Sequence, residues 1–482
     1  MLKNKTSILF GVLAITATAA CANFDVTNPN QPTLDDLLAN PTRTKLSAAA
    51  TGLFSRSRSE ITSFIWRLGS MGREGINLAG NNQPDYQEPY FGPLSPSGFG
   101  GALWQSRYAL IRDANTYSDA ASRSADLSAD EKTVSQAMAE TLKALAFMYI
   151  IETRGKLGAP VDVGRTIDAA PAPFVSEDSV YGYAIGLLND AYGKLTAKPI
   201  VAFPFPLPPG YSGFDTPAAF AKFVAALTGK ANVLRATAGC DGACYAAALT
   251  ALSRSFIDAS DPSQLQTGVY FDFSNAPSDQ SNDLSEPLGG VRYFADSAIL
   301  YSRVQRNSGA PDLRLTSKTA LSTSDAPQSI AGVDITGTLK FTRYFTGGQS
   351  DPAHPIPLIK NEELILLRAE AEWFASGATQ NKAQAVADLN FVRTNSGGLA
   401  PLPVTVLSAT SSDAAFIDAL LYEREFSLLW EQGATWIDAR RFNRLNSIPL
   451  GVSNGSVPTV MPIPSAECNA RALGGNCNPL GK

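Results

Sequence analysis

Two short helical patterns near the C-terminus, separated by one glycine, constrain the fold more than any other part of the chain. In Glu362–Phe374 the residues Leu364, Leu367, Ala371 and Phe374 recur at spacings of three and four, which puts them on one helical face. Gly377 breaks the pattern. Gln380–Arg393 resumes it with Ala385, Leu389 and Val392 in line, and Gly397 and Gly398 end the pair. A helix–turn–helix of about 36 residues with small alanines at the crossing cannot bury its apolar face alone, so it needs neighbours of the same kind. Helical patterns also cover Leu34–Arg58, Ala102–Ala121, Ala129–Thr153, Ser179–Leu195, Thr216–Ala238, Asp241–Ile257 and Ala414–Glu431. Ser128 and Glu131 have the spacing of a capping box at the start of the third of these.

The helix pair has the size of a tetratricopeptide unit. Between the helices lie long loops, as expected with 38 Gly and 31 Pro. The Gly- and Pro-rich stretch 69–101 is expected to be largely loop, and the prolines of 202–211 separate two helices. Residues 258–357 look irregular, with short strand-like pieces at 268–273 and 338–345. The expected fold is mainly α: a tetratricopeptide-like helical scaffold with long inserted loops and few short strands.

The first twenty residues form a targeting segment. Lys3 and Lys5 precede a short apolar stretch, Ile8 to Ala20, that is too short to span a bilayer. It ends in Thr18-Ala19-Ala20-Cys21, which resembles a bacterial lipobox although Thr18 replaces the usual leucine-like residue. The expectation is a signal peptide over 1–20, a lipid on Cys21, and a polar tether over 21–45. A single domain then fills 46–482, in two halves that meet near residue 330. The apolar run after Thr216 is broken by Lys222 and Lys230, so no spanning helix is expected. The four remaining cysteines form two local pairs, Cys240 with Cys244 and Cys468 with Cys477, and an exported chain favours disulfides. Such short loops contribute about 2–3 kcal/mol each by loop entropy. Zinc is the rival reading, but neither pair has a histidine nearby, so no metal and no cofactor are expected.

Charge and residue types narrow the chemistry. Lys and Arg number 39 against 44 Asp and Glu, with no basic cluster, so nucleic acid is not an expected partner. His354 is the only histidine, which excludes any mechanism that needs two imidazoles. Residues 347–352 are glycine-rich but lack the lysine of a phosphate-binding loop. Glu423 and Glu425 would point about 160° apart on a helix and cannot form a glycosidase pair. With Glu431 and Asp438 they suit ion pairing to Arg424, Arg440 and Arg441, which would lock adjacent helices, while Trp430 and Trp436 suit core packing. No enzymatic activity is expected.

Ligand binding needs only aromatic faces and a few polar groups. Residues 77–93 supply both: Tyr86, Tyr90 and Phe91 as stacking platforms, with Asn81, Asn82, Gln83 and Asp85 as hydrogen-bonding neighbours. The alternative is a compact loop packed by its own aromatics. A second candidate surface is Tyr270, Phe271, Phe273, Tyr293 and Phe294, whereas Trp104 is expected in the core.

Several segments together resemble the SusD/RagB family. Residues 355–372 (PIPLIKNEELILLRAEAE) are similar to its proline-led helix E-x-x-L-x-x-A-E-A, and 385–398 to the following A-x-x-x-L-N-x-V-R helix. Residues 420–441 resemble E-R-x-x-E-L-x-x-E-G-x-R-W-x-D-L-x-R, departing at Ser427, Gln432, Ala434 and Thr435. Residues 460–470 resemble the closing P-I-P-x-x-E segment, and 103–116 the W-x-x-x-Y-x-x-I-x-x-A-N helix, with 141–149 fitting the next. Residues 159–350 carry little of the likeness. The resemblance implies a nutrient-binding lipoprotein, lipid-anchored in the outer membrane at the cell surface. It would capture oligosaccharides or peptides and deliver them to a SusC-like TonB-dependent transporter. The alternatives are a tetratricopeptide-like adaptor that binds only proteins and a secreted hydrolase.

Overall fold

The computed structural model describes residues 34–79, 84–165, 168–324, 327–330, 333–451, 456–474 and 477–480. The N-terminal helical region divides where Pro41 cannot continue a helix, giving α1 (Leu34–Ala39) and α2 (Arg43–Arg58). Thr42 caps α2, its hydroxyl accepting from the amide of Lys45. Two further helices form outside the expected ones: α3 (Ile61–Met71), with Ile61, Phe64, Ile65 and Leu68 on one buried face, and α4 (Pro84–Phe91), whose sequence has no clear apolar period. The second corrects the expectation of loop over 69–101. Pro84 suits a first helical turn because its missing amide would have no partner there.

The scaffold follows as α5 (Gln105–Arg123), α6 (Ala129–Arg154), α7 (Glu177–Ala197), α8 (Pro217–Arg235) and α9 (Asp241–Leu252). Each packs against the next in sequence. The Ser128–Glu131 capping box is present at the start of α6. Cys240 and Cys244 are bonded where α8 gives way to α9. Two short helices, α10 (Ser297–Arg303) and α11 (Leu313–Lys318), interrupt the irregular region. The expected pair forms as α12 (Asn361–Phe374) and α13 (Lys382–Asn395), and α12 packs on α9, extending the stack. The last pattern ends at Ser427 as α14 (Asp413–Ser427), and a separate α15 (Ala434–Arg441) follows. Trp430 and Gly433 take positive φ between them, which no helix accommodates.

Strands are few and short. β1 (Gly75–Asn77), β3 (Tyr293–Ala295), β4 (Thr319–Leu321) and β5 (Leu339–Phe341) form an antiparallel sheet in the order β1-β3-β5-β4. β2 (Gly268–Phe271) pairs with β6 (Ile356–Lys360), which leads directly into α12. This is the mainly helical, strand-poor architecture expected of the sequence.

Carboxylates buried among cations join the C-terminal helices to the sheet. Glu431, with a fully buried side chain, lies 3.0 Å from Lys318, 2.5 Å from Arg343 and 2.7 Å from Lys360. Glu423 pairs with Arg314 at 2.7 Å and Arg393 at 2.9 Å. Glu370 holds Arg424 at 2.7 Å and also Arg441, and Asp438 pairs with the same two arginines. The acidic cluster therefore locks helices, as its residue types suggested. Arg440 differs from expectation: it donates to the backbone oxygen of Glu152 instead. Trp430 and Trp436 are fully buried, and Trp430 stacks on Phe341 at 4.0 Å.

Candidate ligand-binding cleft

The residues expected to form an aromatic platform do not stand exposed. Tyr86 and Tyr90, one turn apart on α4, face inward and pack with Ile76, Leu78 and Phe294; they are 3% and 1% exposed. The Tyr90 hydroxyl donates towards the Gly75 carbonyl and Asp296, each at 3.3 Å, and the Arg73 guanidinium covers its ring at 4.2 Å. Burial, with the Asp296 carboxylate beside it, pushes the Tyr90 phenol well above its usual range. Asp85 is buried too, accepting from the Asn77 amide at 3.2 Å and lying 3.7 Å from Arg67. Burial raises its carboxyl. A ligand ring cannot reach the two tyrosine faces because protein already covers them. Asn81, Asn82 and Gln83 lie outside the described residues. Phe91 alone reaches a surface feature, an apolar groove of about 590 Å3 with Pro93, Leu94, Pro458 and Pro462. In the second candidate surface Phe271, Phe273, Tyr293 and Phe294 are buried.

Aromatic and polar groups meet instead at the start of α5. Trp104 stands at the position just before that helix, and Tyr108 and Arg112 follow at successive four-residue steps, so all three share one face. They line one wall of an open cleft of about 530 Å3. Residues 160–165 and 169–172 supply another wall, and the C-terminal stretch 464–471 contributes the rest of the lining. Leu103 has φ +61°, the turn that brings Trp104 into position. Trp104 stacks on Phe174 with centroids 6.0 Å apart and planes at 15°, and Tyr108 packs against it at 4.9 Å. The Tyr108 hydroxyl donates to the Pro160 carbonyl at 2.9 Å, which ties helix to loop.

The rim charges are mostly paired. Arg165 holds Asp162 at 2.8 Å and donates to the Ala170 carbonyl at 3.2 Å. Arg471 holds Glu467 at 2.7 Å, donates to the Ala172 carbonyl at 2.7 Å and sits over Phe174 at 4.7 Å. Gln105 and Arg112 are exposed, and among the described residues neither side chain has a hydrogen-bond or ion-pair partner. Behind the aromatic wall lies Arg154, fully buried, its guanidinium 5.4 Å from the Trp104 ring centre. Burial pushes it down to about 9, with Tyr108 and Glu60 opposing. The expectation of Trp104 as core holds for most of its ring, but its remaining edge belongs to the cleft. Sequence reasoning passed over Gln105 and Arg112; the spacing of Trp104, Tyr108 and Arg112 was the available signal.

Chemically, the cleft offers ring faces, carboxamide and guanidinium donors, and carboxylates already engaged by arginines. Such a mixture suits recognition of a small polar molecule.

No protein-family model matches the chain, and no curated protein does. Solved structures match over nearly their whole length. B. fragilis NanU superposes with a TM-score of 0.65 at 15% identity, covering 92% of this chain and 98% of that one. A SusD superfamily protein from Parabacteroides distasonis gives 0.64 at 17% identity, covering 88% and 97%. One from Bacteroides vulgatus gives 0.64 at 13% identity, covering 89% and 97%. At such identities the likeness speaks for the fold, and the chain has the fold of the SusD superfamily.

Proposed function

We propose that this protein is a SusD-like nutrient-binding lipoprotein that captures oligosaccharides or peptides and delivers them to a SusC-like TonB-dependent transporter. The observation that carries this reading is the extent of the likeness: 97% or more of the SusD superfamily structures is covered, so the whole binding scaffold is matched and not one helix pair. The cleft at Trp104, Tyr108 and Arg112 is the capture site in this reading. Its task is binding without turnover, since Asp162 and Glu467 are both held by arginines.

Attachment to the outer membrane would come from a lipid on Cys21, which lies outside the described residues. Among the described residues, no helix is long and apolar enough to cross a membrane. The signal peptide over 1–20, the tether over 21–45 and the single domain from 46 belong to the same proposal.

The test has two parts. Mass spectrometry of the mature protein should find a diacylglyceryl-modified Cys21, and purification from native membranes should bring a large TonB-dependent barrel with it. Calorimetric titration with a panel of oligosaccharides and short peptides should find a ligand that protects the cleft from hydrogen exchange. Barrel association without any small ligand would favour the adaptor reading. Recovery of neither partner nor ligand would sink the proposal.

A further inference from the structure

We infer that the cleft selects an acidic saccharide, a sugar ring carrying an oxyanion, and that Arg112 is the residue that reads the charge. The inference rests on the capture-site reading above and adds the ligand class.

The argument begins with a charge balance. Asp162 and Glu467 are the acidic side chains lining the cleft, and each is already neutralised by its own arginine, Arg165 and Arg471. Arg112 is the lining charge left over, exposed and without a partner among the described residues. A second uncompensated cation stands behind the wall. Arg154 is fully buried, donates to the Ala102 carbonyl at 2.6 Å and the Thr153 hydroxyl at 2.7 Å, and has no carboxylate within ion-pairing distance among the described residues. Glu60 acts on it only from farther away. A buried cation is poorly screened, so its field extends through the aromatic wall into the cleft. Both the surplus at the rim and the field from below favour an anion.

The ligand's shape follows from the same wall. Tyr108 and the free edge of Trp104 offer an apolar strip, and Gln105 and Arg112 flank it on the same helix. A pyranose ring has an apolar face to lay on such a strip and hydroxyls for a carboxamide. An oxyanion on that ring can accept two parallel N–H bonds from a guanidinium, a geometry suited to carboxylate and to sulfate alike.

Arg112 is exposed and has no hydrogen-bond or ion-pair partner among the described residues, so its replacement should leave folding intact, which makes the test clean. Full-length protein is titrated with galacturonate oligomers, sulfated galactan oligomers and neutral galactan oligomers of equal length. Wild type should bind at least one acidic series about tenfold more tightly than the neutral one, as expected for a charge-assisted contact. R112Q should erase that preference without changing the thermal midpoint, and 0.5 M salt should weaken acidic binding far more than neutral binding. The two acidic series tell carboxylate from sulfate. Equal binding of neutral and acidic oligomers, unchanged in R112Q, would overturn the charge inference and leave the capture site standing. Absence of binding by every saccharide would remove the site assignment itself. Arg112-dependent binding of oligoglutamate in place of saccharides would overturn the sugar class.

Discussion

Replacing Glu431 with Gln probes a carboxylate with three ion-pair partners among the described residues. Its side chain is wholly buried and faces Lys318, Arg343 and Lys360 at 2.5–3.0 Å. Burial alone would raise this carboxyl, but Arg343, Lys318 and Lys360 together hold it far below the usual range. The substitution keeps the shape and one carbonyl acceptor but removes the charge. Lys360 would retain Glu362 at 3.2 Å, and Lys318 would retain the backbone oxygens of Phe426 and Ser427. Arg343 loses its only ion-pair partner among the described residues. Removing one member of a buried pair costs about 3–5 kcal/mol, mainly because the remaining charge is left without compensation. The partial partners of the two lysines keep the expected loss within that range, although three cations are affected. Urea unfolding followed by circular dichroism and by tryptophan fluorescence would measure it, since Trp430 lies beside the hub. A loss below about 1 kcal/mol, with native helix content, would refute the view that this carboxylate compensates two buried lysines and the half-buried Arg343.

Two further outcomes follow from the same packing. Glu362 is held at about 2: burial opposes its ionisation, but Lys360 and Lys318 outweigh it. Its folded value is depressed, so the stability it contributes is fully present above about pH 4.5 and is lost as pH falls towards 2; a pH titration of the urea midpoint should decline over that window, and a flat profile would contradict the assignment. Tyr90→Ala should lower stability by about 3–5 kcal/mol, as expected for truncating a buried aromatic, while ligand affinity stays unchanged; the reverse pattern would restore Tyr90 as a binding residue.

Periodicity and caps made most of the scaffold legible. α6, with its Ser128–Glu131 box, and the α12–α13 pair appear within a few residues of where the pattern placed them. The clustering of Glu423, Arg424, Glu425, Glu431 and Asp438 announced the ion-pair lock because charges at such density are rarely buried singly. What misled was glycine and proline content. Residues 84–91 carry two prolines, yet Pro84 starts the helix and Pro89 lies within it. The four-residue step from Tyr86 to Tyr90 marked a helical face turned inward, and reading the segment as loop turned that face into a platform. The cleft was illegible for a different reason: its walls come from 101–112, 160–165, 169–172 and 464–471, and no local pattern predicts which distant loops meet.

Glu74 carries a consequence for biogenesis. Its buried carboxylate accepts from the backbone amides of Trp430 at 2.9 Å and Thr435 at 3.4 Å, 356 and 361 positions further along the chain. A polypeptide delivered N-terminus first therefore exposes this acid, and the two lysines and one arginine of the Glu431 hub, until about nine-tenths of its length has emerged. Segments this far apart cannot mature in succession, because Lys318 pairs with Glu431 and Arg303 with Glu425. Contacts this remote in sequence also slow closure of the native topology. A chain of this design completes its buried polar pairing only once residues 430–435 are in place, so its native packing closes late.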